Sequence, residues 1–246
     1  MYLHLPKEKI IILIQKRINQ MPKKNAYLIV STCFLLLLLN NFEITCQQTS
    51  NMPEPYNSIV ILPFNAHGYF NPANEKKLRE IITSKPIKTV IEVGTWLGAS
   101  ARFMASLLPA DGKLYAVDHF LGSAEILLES HPDRNKVATM YQQFLSNVIH
   151  TNLTHKIIPV RMSSLEAAQA LNVHADLIYI DASHDEESVY NDILAWYPKL
   201  NLHGVMCGDD YGGGGDQLPI KRAVHRAATA LGVNVKVAGG WFWYFE

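Results

Sequence analysis

The chain has 246 residues, 48% of them apolar and 18% charged, with 22 Lys/Arg against 22 Asp/Glu. That suits one globular α/β domain with a sizeable core, plus an extra segment. The charge is unevenly spread: residues 1–46 hold six Lys/Arg against Glu8 and Glu43, and residues 47–246 hold sixteen against twenty. A mildly acidic body lacks the basic face that nucleic acid requires, which excludes that partner class. The thiols Cys33, Cys46 and Cys207 make neither a disulfide framework nor a zinc site.

In chain order, the first feature is the uncharged run YLIVSTCFLLLLL at 27–39, preceded by Lys23 and Lys24. A spanning helix needs about twenty such residues, whereas a signal-peptide core needs about 7 to 15. Met21 followed by Pro-Lys-Lys makes a conventional signal-peptide start. Residues 1–46 are therefore expected to be a signal peptide or membrane anchor, with a helix packed on the domain as the remaining reading. Positive charge ahead of the run directs the downstream chain to the non-cytoplasmic side. A secreted or membrane-anchored chain is the corresponding expectation.

Residues 47–87 read as a linker and flap. The polar stretch with Pro53 and Pro55 gives way to IVILPFNAHGYFNPANEKKLREII at 59–82, which enters a helix at 73–82. Phe64, Asn65, His67, Tyr69 and Phe70 suit a flap over a bound ligand or a plain structural linker.

From Lys88 onward, short β-rich runs alternate with helical periodicity, the pattern of a parallel sheet covered on both faces. The strand candidates are 88–93, 113–117, 156–160, 175–180, 203–208, 233–239 and 241–246. Leu97, Ala101, Met104 and Leu108 recur at helical spacing, as do Val189, Ile193 and Trp196. A third helix is expected near 219–231, with Pro219 at its start and Gly232 as its stop. Only about one glycine separates the last two strands, so they must pair antiparallel as a hairpin. The expected fold is a doubly wound, mostly parallel seven-stranded sheet, occupying 88–246.

Four motifs bear on chemistry. In VIEVGTWLGAS, 90–100, a strand ends at Glu92-Val93, Gly94 turns the chain, and Gly98 opens the next helix. Ligands bind at such carboxyl ends of open α/β sheets, and the helix N-terminus favours polar or anionic groups. This is not the dinucleotide fingerprint, because Trp96 holds the second glycine's place. In LYAVDHF, Asp118 ends the second strand, where a carboxylate accepts the hydroxyls of a ribose; a plain turn residue is the alternative. In IPVRMSSLEAA, 158–168, Ser163 or Ser164 caps a helix and Glu166 completes a capping box. The same strand end is also suited to contact a nucleobase.

The fourth constellation joins IYIDASHDE, 178–186, to VMCGDDY, 205–211. Asp181, Asp209 and Asp210 end neighbouring strands, and converging carboxylates repel unless a cation neutralises them. Hard oxygen donors suit Mg²⁺, Mn²⁺ or Ca²⁺ rather than zinc. Helix capping is the competing reading. His184 lies three residues after Asp181, where a neutral imidazole can accept a proton. The glycine-rich loop 211–218 comes directly afterwards and reads as a mobile lid or a surface loop.

Over about 88–246 these motifs resemble class I S-adenosylmethionine-dependent methyltransferases, most nearly the metal-dependent small-molecule O-methyltransferases of the catechol and macrocin or cephalosporin types. Glu92, Gly94, Gly98 and Ser100 match the E-x-G-x-x-x-G motif and its following serine, so the resemblance assigns cofactor binding to them and to Thr95 and Trp96 between them. It makes Asp118 the ribose acid and Ser163 or Ser164 the adenine contact. It makes Asp181, Asp209 and Asp210 the ligands of a divalent cation, Mg²⁺ by preference. Asp181 and His184 become the catalytic residues, His184 replacing the lysine base of the catechol enzymes. The implied reaction is metal-assisted methylation of a small-molecule hydroxyl. A different enzyme on the same scaffold, or a non-catalytic methyltransferase-like binding protein, are the alternatives.

Overall fold

A computed structural model describes residues 51–123, 126–212 and 219–246. The chain divides into two units, Met1–Asn51 and Met52–Glu246, and the sheet and its helices belong to the second. Cys33, Cys46, the run 27–39 and residues 213–218 of the glycine-rich loop lie outside the described residues.

Seven strands form one sheet: β1 (Thr89–Val93), β2 (Lys113–Asp118), β3 (Ile157–Arg161), β4 (Ala175–Ile180), β5 (Leu200–Gly208), β6 (Val235–Ala238) and β7 (Phe242–Phe245). Their order is β3-β2-β1-β4-β5-β7-β6. The first five pair in parallel, and β7 runs antiparallel between β5 and β6. The expected seven-stranded α/β sheet with its terminal hairpin is present. The order reverses between β1 and β4, so the crevice of this fold opens at their carboxyl ends.

The helices are α1 (Pro72–Ser84), α2 (Ala99–Leu107), α3 (Met140–His150), α4 (Ser164–Ala170), α5 (Glu186–Trp196) and α6 (Pro219–Leu231). Their starts obey local chemistry. The Asn71 side chain accepts the Ala73 amide at 2.8 Å ahead of Pro72, Ser163 and Glu166 close the expected capping box of α4, and Asp185 caps α5 through the Ser188 amide at 2.9 Å. Gly232, at φ +70°, stops α6 as its position in the sequence requires.

Each sheet face carries its own core. One gathers Val90, Leu114, Leu177 and Val205 under α1, α2 and α3. The other gathers Ile91, Val117, Ile178 and Met206 under α4, α5 and α6. Adjacent strand residues alternate between these clusters, as the two-residue period of a strand demands. Both faces being covered explains why the strands read as continuous apolar runs.

Among the described residues no helix is long and apolar enough to cross a membrane. As far as the described residues go, this corrects the expectation of a secreted or membrane-anchored chain; the run 27–39, through which membrane association was expected, lies outside them. That expectation rested on hydropathy and flanking charge alone. Thirteen uncharged residues fall well short of the roughly twenty that span a bilayer.

Candidate active site

The carboxyl edge of the sheet carries a cavity of about 710 Å³, within the size range of small-ligand sites. Lining it in strand order are Ser163 and Ser164 after β3, Asp118 at the end of β2, and Gly94, Thr95, Trp96 and Ser100 after β1. Asp181 and His184 come after β4, and Asp209 and Asp210 after β5. Two expected cofactor residues stand behind the wall. Glu92 is fully buried and accepts the Ser100 hydroxyl at 2.5 Å. Gly98 is the left-handed N-cap of α2, packed on the Phe144 ring.

Gly94 sits at φ +85°, and a Cβ there would lie 2.0 Å from the Asp181 carbonyl oxygen. Its amide donates to Val117 O and the Asp181 amide donates to Val93 O. The glycine is thus required by the meeting of two strand ends, over and above any ligand. Asp118 holds the turn from the other side: its Oδ2 accepts the Thr95 and Trp96 amides at 3.1 Å each, and its Oδ1 accepts the Phe120 amide at 2.7 Å. The carboxylate is fixed at the cavity floor with lone pairs to spare.

The three aspartates converge. One carboxylate oxygen from each lies within 4.8 Å of those of the other two. Burial, then Asp209, Asp210 and Glu92, push the Asp181 carboxyl well above the usual carboxylate range. Asp209 is raised by burial and by Asp210. Asp210 is held at φ +62°, an uncommon conformation for a side-chain-bearing residue that marks a constrained site. A hard-oxygen trio whose members repel one another fits a small divalent cation. His184 Nε2 lies 3.1 Å from Asp210 Oδ2, so the imidazole is oriented by one member of that trio.

The flap also reaches the site, with Gly68, Tyr69 and Phe70 on the cavity wall. It runs along α3, whose side chains satisfy its backbone: Ser146 and Asn147 accept the Leu62 and Asn65 amides at 2.9 and 3.0 Å. Buried Asp133 takes hydrogen bonds from His67 (3.0 Å), Tyr69 and Lys136. Burial raises the Asp133 carboxyl, but these donors outweigh it and hold the group far below its ordinary value. The Trp96 indole packs edge-on to His67 and tilted to Tyr69. Flap and glycine turn thus make one aromatic wall.

Sequence reasoning missed Asp192. It is 5% exposed on α5, lines the cavity and accepts the Ser164 hydroxyl. The signal was present: Val189, Ile193 and Trp196 form the apolar stripe of α5, and an acid at 192 lies on that same stripe.

A family model described as a methyltransferase domain matches residues 91–211. The fold is similar to that of the O-methyltransferase NovP, with TM-score 0.56 at 18% identity over 74% of this chain and 82% of that one. It is similar to the O-methyltransferase from Bacillus cereus in complex with SAH, with TM-score 0.52 at 16% identity over 74% and 84%. It is also similar to TomG from Streptomyces achromogenes, an O-methyltransferase of tomaymycin synthesis in complex with SAM, with TM-score 0.53 at 14% identity over 72% and 80%. No curated protein matches the chain in sequence.

Proposed function

We propose that this chain, whose residues 91–211 match a methyltransferase domain, is a class I S-adenosylmethionine-dependent methyltransferase that methylates a hydroxyl of a small molecule with the help of a divalent cation. The observation that supports this most is the convergence of Asp181, Asp209 and Asp210 within 4.8 Å, in the same cavity as the ribose-type acid Asp118.

The sulfonium of the cofactor supplies a methyl group that is already electrophilic, so the protein's task is alignment and proton removal. Asp118 accepts the ribose hydroxyls, and the Gly94 turn lets the nucleoside lie against the backbone. Thr95 Oγ1 and Trp96 Nε1 are buried without a protein partner, which suits polar groups of a ligand. Asp181, Asp209 and Asp210 would hold the cation, whose positive charge would favour loss of the acceptor's proton. His184, held 3.1 Å from Asp210 Oδ2 through Nε2, is the group that takes the proton. Tyr69, Phe70 and Trp96 offer an aromatic wall against which the acceptor can pack.

Three measurements test this. Thermal shift with S-adenosylhomocysteine should raise Tm by several degrees, and Mg²⁺ should add to it. Methyl transfer from labelled cofactor to a metabolite extract should fall away in excess chelator and recover with Mg²⁺. The His184→Gln variant should lose about 10²- to 10⁴-fold in kcat with cofactor affinity unchanged. Full turnover in excess chelator would remove the metal from the reaction. Failure to bind the nucleoside at millimolar concentration would remove the cofactor site.

A further inference from the structure

Resting on the reading of Asp181, Asp209 and Asp210 as a cation site, we propose that Asn74 is a positioning residue for Asp209 and through it ties the flap to the bound cation. Asn74 lies on the first turn of α1, and with Leu78, Ile81 and Ile82 it forms the buried stripe of that helix. The other three members are apolar. Asn74 is 0% exposed, and neither its Nδ2 nor its Oδ1 has a hydrogen-bond partner. A buried amide with both ends unmatched destabilises a fold, and a leucine would serve this stripe better. The amide therefore calls for a role beyond packing.

The packing of α1 places that amide beside the aspartates. Lys77 Nζ lies 4.9 Å over the Tyr244 ring, and Tyr244 pairs with Cys207 on β5. The turn between β6 and β7 fixes the helix direction. A Cβ on Gly239 would lie 2.9 Å from Ala73 Cβ, and this turn leads into Trp243, which pairs with Gly208 at the carboxyl end of β5. The N-terminus of α1 thus stands at the carboxyl edge of the sheet. Asn74, one turn nearer that end than Lys77, stands level with the chain beyond Cys207, where β5 gives way to Asp209. Burial raises the Asp209 carboxyl and the Asn74 side chain pulls it back. The amide approaches Asp209 without completing a directed bond.

A carboxylate that ligates a cation is held in place by donors to its remaining lone pairs. Asp209 Oδ1 already accepts the Asp210 amide at 2.6 Å. A bond from Asn74 Nδ2–H supplies the second anchor, and two anchors fix the plane of the carboxyl. The consequence reaches the flap. Phe70, on the cavity wall, precedes Asn74 by four positions, and Asn71 between them caps α1. When Asn74 is held by a carboxylate that an ion has fixed, the first turn of α1 and the flap leading into it lose freedom together.

The test uses the full chain without cofactor or acceptor, so that no turnover is read. Mn²⁺ affinity is measured by calorimetry. Hydrogen exchange at residues 59–71 is followed by mass, with Mn²⁺ at about ten times each protein's own Kd so that the sites are equally filled. Asn74→Leu should bind Mn²⁺ about ten- to a hundredfold more weakly, with an unliganded Tm equal to or above that of the native chain. Mn²⁺ should slow flap exchange about tenfold in the native protein and leave it unchanged in the variant. If the leucine variant does not fold, Asn74→Ala should give the same loss of affinity and of flap protection. An unchanged Kd in the folded variant, or a native flap indifferent to Mn²⁺, overturns the role of Asn74 and leaves the cation site standing. Failure of both variants to fold assigns Asn74 to the core and overturns the role as well. A native chain that takes up no Mn²⁺ at millimolar concentration overturns the cation site along with it.

Discussion

Glu92 on β1 and Gly94 just beyond its end stand two residues apart and show opposite relations between sequence and structure. Gly94 is legible as a turn glycine, but the reason for it is not. The obstacle to a Cβ is the Asp181 carbonyl 2.0 Å away, a contact between strands far apart in the chain. Gly94→Ala should therefore cost about 3 kcal/mol, lowering Tm by roughly 6–12 °C, and should abolish nucleoside binding in the same melt. Glu92 reads from the sequence as a ligand-binding residue. In the structure it lies beneath the cavity, where burial pushes its carboxyl from 4.5 up to about 7 against the Ser100 hydroxyl that pulls it down. The folded protein thus retains a proton that the unfolded chain loses. The stability linked to this group is greatest below pH 4.5, declines as pH rises to about 7, and stays lowered above it. In chelator, Glu92→Gln should be more stable than the native chain at pH 8, by on the order of 3 kcal/mol, with the gap closing toward pH 5. Urea unfolding at the two pH values reads this directly, and an equal gap at both would place the proton elsewhere.

Helix α3, and with it the way the flap is held, is what the sequence concealed. Strands β1 and β4 are the most legible because both of their faces are buried, which leaves runs that are mostly apolar. The capping box of α4, the proline start of α6 and its glycine stop are legible because each is closed by neighbours in sequence. Helix α3 is not, because its buried face includes Ser146 and Asn147, polar residues that break the apolar period. Those residues are inside because they serve the flap: they satisfy backbone amides some eighty positions earlier in the chain, a relation no local window contains. Asp133 is the flap's other anchor, joining it to the segment before α3 through His67 and Tyr69. Replacing it with alanine should leave the sheet intact and raise hydrogen exchange at residues 59–70 by about tenfold, since each lost bond to a charged group is worth about 1.5–3 kcal/mol. Acceptor KM should rise, with cofactor affinity kept. Unchanged exchange in the flap would show that the bonds to α3 suffice.

At the scale of the whole molecule, the two cores are separated by the sheet, and β5 is shared between them. Val205 and Cys207 face one core, and Met206 faces the other. Cys207 is fully buried beneath the site, and burial pushes its thiol well above the ordinary range. Its alkylation, tracked by peptide mass, should occur only through global opening and slow in step with every stabilising ligand. Labelling at a rate indifferent to added nucleoside would mean that this corner opens locally. The placement of β7 also governs the order of assembly. β5 ends in Asp209 and Asp210, yet its outer partner arrives only after α6 and β6. Until then β5 presents an unpaired edge, the kind of surface on which partly folded chains associate. Damage to the β6–β7 hairpin should therefore appear first as aggregation during refolding and only later as lost turnover.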